Sequence, residues 1–298
     1  MTARPDGPVE QAAPAGPTRR APMALVTWAF VVLILVIVIV LLAVKITRDT
    51  TPTPTVTTVL TAPAEVVHAA VSVTQPVFDT VGAPAGSGPA PTVLSDQPPL
   101  TLHRLPAVVY VGAEFCPYCA AERWALVVAL GRFGSFAHLG ETISSPYQVF
   151  PELPSFSFLG STYKSRYIAL SATEEYGPIL SSTVPAGFPP LKQAPALAQT
   201  LMQHYGSASG AGAALPFVDI GNRVLIEGAG IGFSPGSIQG LPMAQVATDL
   251  SDPTSPVAGA ILGAANEITA GICRSTGGRP GRVCRSPGVR AGALRLRL

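Results

Sequence analysis

The segment from 106 to 134 constrains the fold more than any other. Residues 106–111 (PAVVYV) form a short β-branched and aromatic run suited to a buried strand. Gly112, Ala113 and Glu114 then turn the chain into Phe115-Cys116-Pro117-Tyr118-Cys119, and AAERWALVVALGRFG follows over 120–134. Ala120, Ala121, Trp124, Val127 and Val128 recur at helical spacing, while Gly131 and Gly134 supply stop signals. The order is strand, turn, Cys-x-x-Cys, helix, which places the chain in the α/β class. Pro117 takes the first helical position, where its missing N–H costs nothing.

This arrangement suits redox chemistry for a physical reason. Cys116 falls at a helix N-terminus, where unpaired backbone N–H groups and the helix dipole favour a thiolate. Cys119 lies one turn on and on the same face, so the two sulfurs can bond. Cys116 would attack a substrate disulfide and Cys119 would resolve the mixed disulfide. Two other readings compete, half of a structural zinc site and an inert pair. Against zinc, no second Cys-x-x-Cys or His-x3-His exists, and His68, His103, His138 and His204 are scattered.

Residues 24–44 (ALVTWAFVVLILVIVIVLLAV) carry no charge. As a helix they would span a hydrocarbon core of roughly 30 Å. The competing reading, a cleaved signal peptide, calls for an apolar region of about 7–15 residues followed by a small-x-small site. Here the run is longer and ends at Lys45 without such a site. Arg4, Arg19 and Arg20 precede the run, and Lys45 and Arg48 follow it, a slight positive-inside bias. Residues 1–23 read as a short cytoplasmic N-terminus and 45–99 as a tether. Within it, 50–62 are Thr/Pro-rich and 82–92 Gly/Pro/Ala-rich, so the folded part stands off the membrane on the outer side. The 29 Gly and 31 Pro residues fit a chain with much linker. A net charge of +2 excludes a strongly basic nucleic-acid binder. Residues 50–272 carry 7 basic and 14 acidic side chains, whereas 273–298 carry 7 Arg and no acid. That end reads as a basic tail, poorly ordered beyond Cys284, solvated or in contact with anionic lipid or an acidic partner.

AEFCPYC after a strand resembles the thioredoxin superfamily, and Cys-Pro-Tyr-Cys is similar to glutaredoxins. The resemblance implies a cis-proline facing the cysteines. Pro216, before Phe217-Val218-Asp219-Ile220, Gly221-Asn222-Arg223 and Val224–Glu227, looks like that piece, an ordinary trans turn being the alternative. It lies 97 residues beyond Cys119, so an insertion must fill much of 140–212. Thioredoxins carry a buried Asp six residues before the first Cys; this chain has Tyr110 there. Glu114 is nearer, and reads as a solvated turn residue or a proton relay. A closer resemblance covers most of 100–290. YVGAEFCPYCAAERWALVVALGRFGSF, PSFSFLGSTYKSRYIAL and EITAGICRSTGGRPGRVC are similar to the domain-of-unknown-function 929 family, membrane-anchored thioredoxin-like proteins.

Residues 100–272 are then the thioredoxin-like domain. Residues 155–159 and 166–170 read as strands joined by a Gly-Ser-Thr turn. Phe156, Phe158, Tyr163 and Tyr167 either pack the core or line a groove for an unfolded substrate. Residues 194–205, 241–250 and 256–271 read as helices, the last apolar and buried, and too short and Gly-rich for a second span. Cys273 and Cys284 most simply pair with one another outside the cytoplasm, worth about 3 kcal/mol for so short a loop. A second redox pair relaying electrons is the alternative.

The expected function is thiol–disulfide exchange on the outer face of the membrane, needing no cofactor and no metal. Cys116 is the nucleophile, Cys119 the resolver, and Pro216, Pro117 and Tyr118 contact substrate. The expected partners are protein thiols and disulfides of the envelope and a membrane redox protein, with no nucleic acid. A non-catalytic envelope binding module and a thiol-based metallochaperone are the alternatives.

Overall fold

A computed structural model describes residues 23–48, 60–84, 88–182, 184, 187–206 and 213–298. In chain order the helices are α1 (Met23–Arg48), α2 (Ala64–Val71), α3 (Gln75–Val81), α4 (Pro117–Gly131), α5 (Ala196–Tyr205), α6 (Met243–Asp249), α7 (Pro256–Ser275), α8 (Gly281–Cys284) and α9 (Pro287–Leu296). The strands are β1 (Leu60–Thr61), β2 (Thr92–Val93), β3 (Thr101–Leu102), β4 (Leu105–Gly112), β5 (Gly134–Ala137), β6 (Gly140–Ile143), β7 (Pro154–Ser157), β8 (Thr162–Ser165), β9 (Ala169–Glu174), β10 (Phe217–Ile220) and β11 (Val224–Glu227). The chain divides into two units, Met1–Thr53 and Pro54–Leu298.

In the first unit, α1 contains the apolar run at 24–44, and its 26 residues would rise about 39 Å. From Trp28 to Leu41 its large apolar side chains are exposed. Among the described residues, α7 also has the length and hydropathy of a membrane span, but 89% of its apolar window is buried inside the second unit. It is a core helix, as its Gly-rich sequence implied.

The second unit is a mixed α/β structure built on β4. This strand lies antiparallel to β10 and parallel to β9, while β11 and β2 extend the sheet beyond β10 and β3 folds back on the start of β4. Alternate residues of β4 face opposite layers. Val108 and Tyr110, with Val218 and Ile220, pack among residues of α4 and α7. Ala107, Val109 and Val111, with Phe217, pack against Ala198 and Leu201 of α5. Covering both faces is what makes PAVVYV apolar throughout rather than alternating.

Three expectations need correction. The strand expected at 155–159 is β7, but 166–168 lie in the connection between β8 and β9, so the expected strand at 166–170 overlaps β9 only at Ala169 and Leu170. Nor are the two neighbours, since β7 pairs with β6, β9 with β4, and β8 intervenes to pair with β5. Strand propensity marks a strand and says nothing of its partner. The tether over 45–99 contains α2 and α3, whose Val66, Ala70 and Phe78 are buried in the core. Residues 49–59 and 85–87, within the Thr/Pro and Gly/Pro runs, lie outside the described residues, as do 1–22.

The third correction concerns the end of the chain. Beyond the Cys273–Cys284 disulfide, with its Cα atoms 5.5 Å apart, the basic segment expected to be poorly ordered is helix α9. It docks through a narrow apolar face, Val289 and Leu296, with Gly288 and Gly292 letting the backbones approach; so sparse a stripe among glycines and arginines is why hydrophobic periodicity missed it. A Cβ on Gly292 would stand 2.8 Å from the backbone of Asn266 in α7, and one on Gly288 would meet the Phe78 carbonyl. Asp79 accepts from the Gly288 N–H at 2.8 Å, and Arg295 pairs with Glu267. Gly292→Val is therefore expected to cost about 2–3 kcal/mol. Chemical denaturation would read the loss, and trypsin would cut at Arg295 and Arg297 earlier. An unchanged denaturation midpoint would mean that α9 is not docked.

Candidate functional site

Cys116 is the N-cap of α4, and its extended backbone turns the chain from the loop into the helix with Pro117 at the first position. The Cys116 sulfur accepts the Cys119 N–H at 3.2 Å, and its thiol lies 3.7 Å from the Leu215 carbonyl. Leu215–Pro216 is a cis peptide, so the expected proline piece meets the cysteines through the carbonyl just before it. Both thiols are free, with Cys116 7% exposed and Cys119 fully buried. Around them, Phe115 stacks on Phe188 at 4.1 Å and Tyr118 meets Phe150 edge-on. Tyr118 also borders an open cleft of about 580 Å³ with Phe233, Ser234, Pro235 and Ala260.

The two thiols are pushed in opposite directions. A hydrogen bond from the Cys119 thiol lowers the Cys116 pKa most; burial opposes it, and the Cys119 and Tyr118 N–H groups and the Arg123 cation add to the lowering. Burial raises the Cys119 pKa, and the bond it donates to Cys116 raises it further. Of the two, Cys116, the helix-capping sulfur, is therefore the one favoured as thiolate.

Behind the cysteines lies a buried polar cluster. Arg123, one turn beyond Cys119 on α4, is fully buried and pairs with Glu174 at 2.8 Å. It also donates to the Tyr110 hydroxyl at 3.2 Å and through Nε to Ser155 at 3.0 Å. Tyr110 donates to Glu174 at 3.4 Å. The β4–β9 register explains the meeting, since Glu174 pairs with Gly112 and Tyr110 with Ala172. Gly112 is needed because a Cβ there would fall on the Tyr110 hydroxyl. Burial drives Glu174 up to about 7 against the pull of Arg123. Arg123 stays charged, because Glu174 and its other neighbours outweigh the burial that opposes its charge. Glu114, read as a solvated turn residue or a relay, is 4% exposed and accepts from Ser157 at 2.5 Å and Thr142 at 3.3 Å.

Cys116, Cys119, Pro117, Tyr118 and Pro216 thus come together, and Cys273–Cys284 forms a separate disulfide. Phe156 and Phe158 are buried core residues, and the Tyr163 hydroxyl donates to the Leu130 carbonyl. Arg123 and Glu174 were missed. The available signal was a Glu-Arg pair, Glu122-Arg123, inside an otherwise uncharged buried helix. Glu122 is itself fully buried without a hydrogen-bond partner, and burial, with Glu267 nearby, raises its pKa. Cys116 and Cys119 are the soft ligands a metal would use, and among the described residues no three His, Cys, Asp or Glu side chains gather as a metal site.

Fold and site together define a mixed α/β protein with a Cys-x-x-Cys pair at a helix N-terminus and a buried ion pair behind it. Residues 93–274, more than half of the chain, match the family described as domain of unknown function (DUF929), and the chain belongs to that family. No curated protein and no solved structure matches it.

Proposed function

We propose that this chain is a membrane-anchored thiol–disulfide oxidoreductase whose redox couple is Cys116 and Cys119. The observation that carries the reading is the placement of two free thiols one turn apart, Cys116 capping α4 and accepting the Cys119 N–H, Cys119 fully buried beneath it, an arrangement that lowers the pKa of the first and raises that of the second. The Cys116 thiolate attacks a substrate disulfide, a Cys116–substrate bond forms, and one substrate sulfur leaves as thiolate. Cys119 then loses its proton and attacks Cys116. The enzyme disulfide forms and the second substrate thiolate departs, so two electrons pass from enzyme to substrate. Oxidation of a substrate dithiol by the enzyme disulfide runs the same steps backwards.

The order β4, Cys-x-x-Cys, α4, then cis-Pro216 ahead of the β10–β11 hairpin, supports a thioredoxin-like architecture with the elements between α4 and Pro216 as its insertion. The exposed apolar side chains of α1 support a single membrane span. Protein thiols and disulfides outside the cytoplasm, and a membrane redox protein, are the partners this reading calls for. A second reading, a non-catalytic binding module, draws on the low exposure of Cys116, 7%.

Equilibrating the full chain in detergent with glutathione buffers separates the two. Two-electron exchange that Cys116→Ser abolishes is the expected result. A potential near about −120 mV would mark a donor of disulfides and one near about −270 mV a reductant. A pair that cannot be exchanged, or a Cys116→Ser chain that behaves like the parent, removes the enzyme reading.

A further inference from the structure

Arg123 is the one fully buried cation among the described residues, and several acids look to it. Its Nη1 donates to Glu174, to Tyr110 and, at 3.5 Å, to the Ala113 carbonyl. That same carbonyl accepts the Cys116 N–H at 3.2 Å, so the cation lies against the turn that carries the thiol. Glu174 Oε1 and Arg123 Nη2 are buried without a hydrogen-bond partner, so the ion pair is not saturated. The groups facing Glu174 are Arg123 from α4, Glu114 from the turn and Tyr110 from β4; those facing Cys116 are Cys119 and Arg123. One cation cannot neutralise a new thiolate and an existing carboxylate together where water is excluded.

We propose that reduction of the Cys116–Cys119 disulfide is coupled to proton uptake at Glu174, because the Cys116 thiolate and the Glu174 carboxylate compete for Arg123. This rests on the redox reading of the cysteine pair. A dithiol donor supplies two electrons and two protons. The S–S bond breaks, Cys119 takes one proton and becomes a thiol, and Cys116 remains a thiolate. The second proton goes to the Glu174 carboxylate instead of to solvent, and the donor leaves as its disulfide. Glu174 acts on Cys116 through Arg123 and is a positioning residue. With its carboxyl at about 7 beside the dithiol, uptake occurs below that pH and above the value it takes beside the disulfide, where no thiolate competes. The titrations of Cys116 and Glu174 are then those of a coupled pair.

Cys116 alkylation by iodoacetamide, followed from pH 5 to 9 on the reduced full chain in detergent, reads this directly. The parent is expected to show two steps. Glu174→Gln removes the competing charge, so its profile collapses to one step, matches the parent at pH 6, where Glu174 already holds its proton, and exceeds it about tenfold at pH 8. A misfolded chain would give the opposite sign, with the slow reaction of an ordinary thiol near pH 8.5. A measurement without mutation guards against that outcome: the parent's reduced-minus-oxidised infrared spectrum at pH 6.5 should gain a protonated carboxyl band. Superimposable profiles for parent and Glu174→Gln, or no such band in the parent, would overturn the coupling. Alkylation needs no turnover. Failure of glutathione exchange therefore removes the oxidoreductase reading, and an unchanged alkylation profile removes only the coupling.

Discussion

Replacing Arg123 by methionine is expected to lower the stability of the chain by about 3–5 kcal/mol at pH 8, because it strands the Glu174 carboxyl in a fully buried site. The loss should shrink as the pH falls. Glu174 sits at about 7 in the folded chain, against about 4.3 for an ordinary glutamate in an unfolded one. Its folded value is raised, so between those two pH values the folded state holds more protons, and stability falls as the pH rises. Without Arg123 the folded value climbs further and the penalty extends to higher pH. Chemical denaturation of parent and variant at pH 5.5 and pH 8 measures both effects. The double variant Arg123→Met, Glu174→Leu should recover most of the loss, since two apolar side chains replace the pair without leaving a charge behind. A loss below about 1 kcal/mol at pH 8 would mean that the pair is not buried as described.

Cys119→Ser and Cys116→Ser are expected to fail in different ways. With Cys116 alone, the chain should still react with a disulfide but hold it as a mixed disulfide. Intramolecular attack by a well-placed group corresponds to an effective concentration of about 10⁵ M or more, against millimolar external thiol, so release should slow by at least on the order of a thousandfold. With Cys119 alone, no adduct should form, because that sulfur has no exposure and burial holds it as a thiol. Mass spectrometry after incubation with oxidised glutathione gives both answers. Equal adduct formation by the two variants would mean that nucleophile and resolver are not distinguished.

Much of the site was legible in residues 106–134, because its logic is local. A β-branched run, a turn, proline at the first helical position and two cysteines one turn apart are all written within thirty residues. The partner of that unit, Pro216, could be named only through resemblance. Its approach to Cys116 depends on β10 pairing with β4 more than a hundred residues later. The basic end and the stretch after residue 60 were harder for another reason. Glycine and proline content signals loop, yet at Gly288 and Gly292 glycine provides close helix contact, and α2 and α3 are held by a few buried side chains such as Val66 and Phe78.

The sequence by itself determined the elements whose cause lies in neighbouring residues: the apolar helix around 24–44, the buried strand, the cysteine-capped helix, the core helix read at 256–271 and the nearby Cys273–Cys284 pairing. Only the tertiary structure decided what stands behind the cysteines. Arg123 and Glu174 are 51 positions apart and meet because β9 runs parallel beside β4, an arrangement that leaves no hairpin signal in the chain. A buried charge is tolerated only where its counter-charge arrives from elsewhere in the fold, and that arrival is a property of packing and not of pattern.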